Sequence, residues 1–300
     1  MKKIIYFFSH YFMMSLGFIS QKLSIKNRAA FGKLIGGFLR ILSKSRSDIT
    51  LKNIKNAFPE KEESEIISIR NESYQNLGIT LAELLAFPSL RKEDFLNYVK
   101  FENIDLVKEK IAEGKGLIFI SGHFGNWELT AYTAGLALDV PITIIVKPQR
   151  NHISDTYLNS LRTSGGNKIV PMGRAARTII ETIKKNEAVA MLVDQSAHSQ
   201  KDVFVEFFGK PAVTYEAPAM IALRFKTPIV TGFAHRQPDM TYKVVIKEIK
   251  FDDLDDSKES IVELTRRHVK ELEDNIIQNP GLWAWQHKRW KYSSPDNKAQ

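Results

Sequence analysis

In the stretch SGHFGNWELT, residues 121 to 130, His123 stands between two glycines and Glu128 follows it by five positions. These two side chains can form a general base and its orienter. A carboxylate bonded to one ring nitrogen fixes the imidazole tautomer and leaves the other nitrogen basic. Flanking glycines let the backbone turn sharply and leave room for a substrate. A metal site is the competing chemistry, but it needs a third ligand, and the helical HExxH spacing is missing. His152 and His198 lie in no recognisable ligand run. A histidine that merely caps the next helix is the other alternative, and it gives the paired glycines no purpose. The expectation is a general base needing neither a serine nucleophile nor a metal.

The elements around this turn must deliver it to an accessible edge. GLIFIS (116 to 121) reads as a buried strand, GHFG as the turn at its carboxyl end, and Asn126 as the N-cap of the helix WELTAYTAGLAL. That places His123 at the carboxyl edge of an α/β sheet, where ligands of such folds bind, with Glu128 in the first helical turn. Further β-rich runs occur at 142 to 147, 188 to 193, 228 to 234 and 242 to 249. Helical stretches near 126 to 138, 151 to 164 and 174 to 186 alternate with the earlier strands, which is the rhythm of βαβ crossovers. The fold class predicted is α/β, a three-layer sandwich with a mainly parallel mixed sheet whose last edge is antiparallel. A helix beginning after Pro59 runs to about residue 86, and a final helix spans about 257 to 278.

Composition narrows the function classes. The 300 residues contain no cysteine, so disulfides, thiolate-bound zinc and thiol nucleophiles are excluded. The net charge of +9 is concentrated at one end: residues 1 to 55 hold eleven Lys or Arg against the single acid Asp48. The remainder is close to neutral, which argues against a nucleic-acid partner. Residues 4 to 21 carry no charge and as a helix would reach roughly 27 Å, a marginal membrane span of an uncleaved anchor. In the following stretch, Phe31, Leu34, Ile35, Phe38, Ile41 and Leu42 share a face opposite Lys33, Arg40 and Lys44, which suits a helix lying in a headgroup layer. The expected organisation is residues 1 to 58 as membrane-anchoring helices, 59 to 292 as the α/β domain, and 293 to 300 as a disordered tail.

SGHFGNWEL resembles the histidine-x4-acid motif of glycerolipid acyltransferases, in the form found in the lipid A biosynthesis late acyltransferases of the lauroyl/myristoyl type. Three more stretches follow that family's blocks in order: VKPQRNHISDTYLNSLRTSGGNKIVP, MLVDQS with VFVEFFGKPAVT, and WAWQHKRWK. NIKNAFPEKEESEI resembles its entry segment, and mycobacterial-type phosphatidylinositol mannoside acyltransferases share the superfamily pattern. The resemblance implies that His123 takes a proton from an acceptor hydroxyl, with Glu128 its partner. The hydroxyl then attacks an acyl thioester of acyl carrier protein or coenzyme A, a co-substrate rather than a bound cofactor. It assigns substrate binding to Lys147, Asn151, Arg162, Asp194, Gln195, Gly209 and Thr214. Lys147 departs from the family's arginine and supplies a point charge without the bidentate fork.

From the residues alone, Asp194 reads either as a scaffold for the cationic side chains or as an ordinary loop acid. Gly209 and Thr214 read either as an anion-facing helix entry or as a simple turn and cap. The aromatic-basic WAWQHKRWK reads as an element near a membrane interface, with His287 structural. The implied partners are a membrane lipid acceptor, the acyl thioester and the membrane surface. The implied location is the bacterial inner membrane, with the catalytic domain facing the cytoplasm. The rival readings are the same chemistry on a phosphatidylinositol mannoside, lysophospholipid or aminolipid, and a non-catalytic lipid-binding scaffold.

Overall fold

The computed structural model describes residues 2–198 and 200–292; the expected tail, 293 to 300, lies outside them. Eleven α-helices occur among the described residues: α1 Lys2–Lys22, α2 Ile25–Leu42, α3 Lys44–Ala57, α4 Glu63–Leu85, α5 Lys92–Tyr98, α6 Ile104–Ala112, α7 Trp127–Leu138, α8 His152–Thr163, α9 Ala175–Lys184, α10 Ala217–Phe225 and α11 Lys258–Gln278. The strands are β1 Val99–Glu102, β2 Leu117–Ser121, β3 Ile142–Val146, β4 Lys168–Pro171, β5 Ala188–Leu192, β6 Val203–Phe207, β7 Lys210–Thr214, β8 Ile229–Thr231, β9 Ala234–Arg236, β10 Tyr242–Val245 and β11 Lys247–Ile249.

Six strands form the central sheet in the order β11-β8-β2-β5-β3-β4, parallel except for β11 at one edge. Alternation along the strands builds a core on each face. Leu117 and Ala188 point to one side with Leu129 of α7 and Leu158 and Leu161 of α8. Ile118, Ile120, Val189 and Met191 point to the other, against Ile179 and Ile183 of α9, Ala222 of α10 and Leu264 of α11. Two apolar faces on one sheet demand helices on both, and the result is three layers. The stretch 242 to 249, which reads as a single strand, divides at Ile246. Its first half pairs with β1 and β9 in a separate three-stranded sheet, and its second half forms the antiparallel edge of the main sheet.

The N-terminal helices pack on α4. Gly32 and Gly36 of α2 meet Gly78 and the backbone of Tyr74 and Ile79 so closely that an added Cβ would fall within 3 Å of main-chain atoms. The expected apolar face of α2 therefore splits: Ile35 is buried, while Leu34, Phe38, Ile41 and Leu42 are exposed. One side of α1 is likewise committed to protein, with Met13 and Leu16 on the core and Gly17 and Ser20 buried. The expectation of a membrane span is not met, because no helix among the described residues is long and apolar enough to cross a membrane. Ser9, His10, Ser15, Ser20 and Gln21 interrupt the apolar sequence of α1.

Candidate active site

Parallel pairing of β2 with β5, in the register Ser121↔Leu192, brings their carboxyl ends side by side, and His123 and Asp194 lie just beyond those ends. The His123 amide donates to Asp194 Oδ2 at 2.7 Å, and Asp194 Oδ1 lies 2.8 Å from His123 Nδ1. Trp283 Nε1 donates to Asp194 Oδ2 at 2.8 Å. Burial opposes charge on Asp194, but the imidazole and these hydrogen bonds outweigh it and hold the carboxyl well below its ordinary range. The ionised carboxylate accepts the hydrogen bond of Nδ1–H, which makes Nε2 the nitrogen that carries the basic lone pair. Burial also works against an imidazolium at His123. The Asp194 charge and hydrogen bond, with a smaller contribution from Glu128, overcome it and raise the His123 pKa above its usual value.

The sharp turn depends on Gly125, whose φ is +59° and whose Cβ, if present, would fall 1.8 Å from the carbonyl oxygen of Ala234. Only glycine meets both conditions. The segment after α11 closes over the turn: Gly125 donates to Leu282 O at 2.9 Å and Ala284 to His123 O at 2.9 Å. Trp283 and Trp285 are buried, so this aromatic stretch is core and not an interfacial element, which corrects that expectation.

Glu128 occupies the first turn of α7 as expected, but it is not bonded to the imidazole. Its oxygens accept from Arg162 Nε at 2.8 Å and Arg162 Nη2 at 2.5 Å. The expected orienter therefore belongs to another pair, and Asp194 holds the ring. Gln195 places its side-chain amide nitrogen 3.3 Å from His123 Nε2 and 3.0 Å from His287 Nε2. The His123 and His287 ring centres are 5.4 Å apart. Burial, then repulsion from His123, pushes the His287 pKa down to about 4, so this ring is neutral at pH 7.

These groups border a cavity of about 710 Å³, which is lined by His123, Glu128, Lys147, Arg162, Gln195 and His287 together with Phe119, Ile142, Ile144, Ala190, Val244 and Ile246. The α2–α3 junction reaches the same cavity through Leu39, Ser43 and Arg46. Four predicted substrate-binding residues do not line it, and one of them, Asp194, is buried behind His123 and holds the ring instead of a substrate. Asn151 caps α8 through Oδ1 and uses Nδ2 on Tyr6 O and Ser9 Oγ of α1. Gly209 follows Phe208 as the second positive-φ residue of the β6–β7 hairpin, and buried Thr214 accepts from Arg289 Nη2 at 2.6 Å. The helix that follows them, α10, carries the acid Glu216 at its N-cap, which disfavours an anion there. His287, read as structural, stands in the cavity wall. The signal for it was weak, one histidine in a stretch dominated by tryptophan.

A buried carboxylate behind an imidazole that opens onto an apolar cavity is an arrangement suited to drawing a proton from a hydroxyl beside a long-chain ligand. The chain matches the model of the bacterial lipid A biosynthesis acyltransferase family across residues 1–292 and belongs to that family. It is 23% identical over 265 residues to the lipid A biosynthesis palmitoleoyltransferase of Escherichia coli (strain K12), covering 87% of this chain and 83% of that one. It is 21% identical over 278 residues to a lipid A biosynthesis acyltransferase of Haemophilus influenzae, covering 92% and 84% of the two chains. The protein is thus an acyltransferase of lipid A synthesis.

Proposed function

We propose that the protein moves a fatty acyl chain from a thioester of acyl carrier protein or coenzyme A to a hydroxyl of a phosphorylated lipid A precursor. The observation that carries this reading is the Asp194–His123 pair, with Nε2 turned to the wall of a largely apolar cavity and held there by the Gln195 amide alone among the described residues. His123 Nε2 takes the hydroxyl proton as the oxygen adds to the thioester carbonyl. The tetrahedral oxyanion then collapses, the C–S bond breaks, and the thiolate leaves with the proton from the imidazolium. Asp194 stabilises that imidazolium, and the Gln195 amide is placed to donate to the oxyanion once it leaves Nε2. The apolar wall takes the acyl chain, and Lys147 faces the anionic part of either substrate. Glu128 and Arg162 together shape the acceptor side.

The protein meets the bilayer peripherally in this reading. Phe8, Phe12 and Phe18 of α1 and Leu34, Phe38 and Ile41 of α2 are exposed on a basic end of the chain, a composition that suits the cytoplasmic face of a bacterial inner membrane. The test is to incubate the full chain with a phosphorylated lipid A precursor and either acyl carrier protein or coenzyme A carrying the same acyl group. Mass spectrometry should show one added acyl chain with at least one donor, and an unmodified acceptor with both would refute the proposal.

A further inference from the structure

Helix α4 carries a stripe of buried polar side chains, Ser73, Asn76, Thr80 and Glu83, each no more than 4% exposed. Buried polar groups are costly without partners, so their hydrogen bonds show what the stripe holds. Thr80 Oγ1 and Asn76 Nδ2 both donate to Gly125 O at 3.0 Å, and Asn76 also donates to Leu282 O at 2.9 Å. Ser73 Oγ donates to Trp283 O at 2.6 Å. The whole stripe is therefore bonded to the histidine turn and to the segment that closes over it.

Glu83 is the costliest member. It is a carboxylate buried in the last turn of a helix, where the helix dipole disfavours negative charge. Burial pushes its pKa up, against the opposing pull of Arg236, Tyr242 and Asn126. Its Oε2 accepts from Asn126 Nδ2 at 2.6 Å and from the Tyr242 hydroxyl at 2.7 Å, while Arg236 Nε donates to that hydroxyl at 2.9 Å. Asn126 is the N-cap of α7, and its Oδ1 accepts from Leu129 N at 2.9 Å. An amide can face only one way at a time. By taking Nδ2, Glu83 turns Oδ1 toward the helix and so fixes where α7 starts, three residues after His123 and two before Glu128.

The geometry points to Glu83 as the positioning residue of the catalytic turn, acting through Asn126 on both His123 and Glu128. This inference rests on the acyl-transfer reading for its kinetic consequence only. A purely structural Glu83 would affect how much protein folds, whereas a positioning Glu83 affects the turnover of each folded molecule.

The test compares Glu83→Ala and Glu83→Gln in the full chain, with palmitoyl-coenzyme A and palmitoyl-acyl carrier protein as donors and a phosphorylated lipid A precursor as acceptor. Hydrogen exchange is followed in peptides covering 122–131. In Glu83→Ala, kcat should fall tenfold or more with KM for the donor within twofold, and exchange should rise in 122–131 alone. Glutamine keeps an oxygen that accepts from both donors, so Glu83→Gln should recover most of the turnover and protection. Wild-type kcat in Glu83→Ala, or an exchange increase spread over all peptides, overturns the inference. If the wild type itself consumes no thioester, the proposed function fails. The exchange pattern still decides whether Glu83 holds the turn.

Discussion

Arg162 on α8 grips Glu128 on α7 with two nitrogens of its guanidinium, Nε at 2.8 Å and Nη2 at 2.5 Å. Its third nitrogen donates to Asn159 Oδ1 at 2.8 Å. Both members of the ion pair are mostly buried, with side-chain exposures of 15% and 13%. Such a pair is costly to break from either side, because the survivor is left as an uncompensated charge.

The ion pair should therefore behave as one unit. Arg162→Lys and Glu128→Gln should each lower kcat/KM, and the double variant should lose much less than the two losses combined. The expected coupling is on the order of 1–3 kcal/mol. Steady-state kinetics of the four proteins measures it, and simple additivity would show that Arg162 works on substrate independently of Glu128.

Asp194 should govern the pH dependence. The base acts only when neutral, so activity rises with pH through the His123 pKa, which the Asp194 carboxylate lifts above its ordinary value. Asp194→Asn removes that charge, so the acidic limb of kcat/KM should move to lower pH while kcat falls by about 10² to 10⁴. A limb that stays in place would mean that another group titrates.

The fold was legible where the pattern is strong. The apolar runs of β2, β3 and β5 and the glycine-punctuated turn after β2 identify the sheet edge that bears His123. β4 is short and half exposed, and α3 is largely polar, so neither has a periodicity that stands out. The division at Ile246 depends on which sheets are neighbours, and local sequence carries no record of that. For the site, nearness in sequence misled: Glu128 lies five residues from His123, yet the bonded carboxylate is Asp194, 71 residues away. An acid at the end of a parallel strand was visible, but the pairing of β2 with β5 is tertiary information.

His268 of α11 should contribute to the loss of stability in acid. It is fully buried, and neither ring nitrogen has a hydrogen-bond partner among the described residues. Burial, then the nearby Arg289 charge, pushes its pKa down to about 3. Between its unfolded value of about 6.5 and about 3, the unfolded chain binds a proton that the native ring does not. Stability from this residue is thus complete above that window and falls by about 1.4 kcal/mol per pH unit as pH drops through it. Urea unfolding at several pH values should show the slope reduced by this amount in His268→Leu. An unchanged slope would mean that the ring is protonated in the native state.

The exposed apolar side chains of the N-terminal helices should carry the attachment to lipid. Replacing Leu34 and Ile41 together by Ser removes two of the most exposed apolar residues of α2. With about 1.5–3 kcal/mol available for each side chain fully transferred, binding to vesicles containing anionic phospholipid should weaken tenfold or more. Unchanged flotation with the vesicles would place the contact elsewhere.

The central claim is that His123 is the general base of acyl transfer, and His123→Ala tests it most directly. The variant should fold, since Asp194 keeps the hydrogen bonds of the His123 amide and of Trp283 Nε1 and Gly125 still shapes the backbone. Its rate of thiol release from the acyl thioester, measured with saturating lipid acceptor, should fall by about 10² to 10⁴ relative to the native protein. Turnover within a few-fold of the native rate in a folded His123→Ala protein would contradict the account.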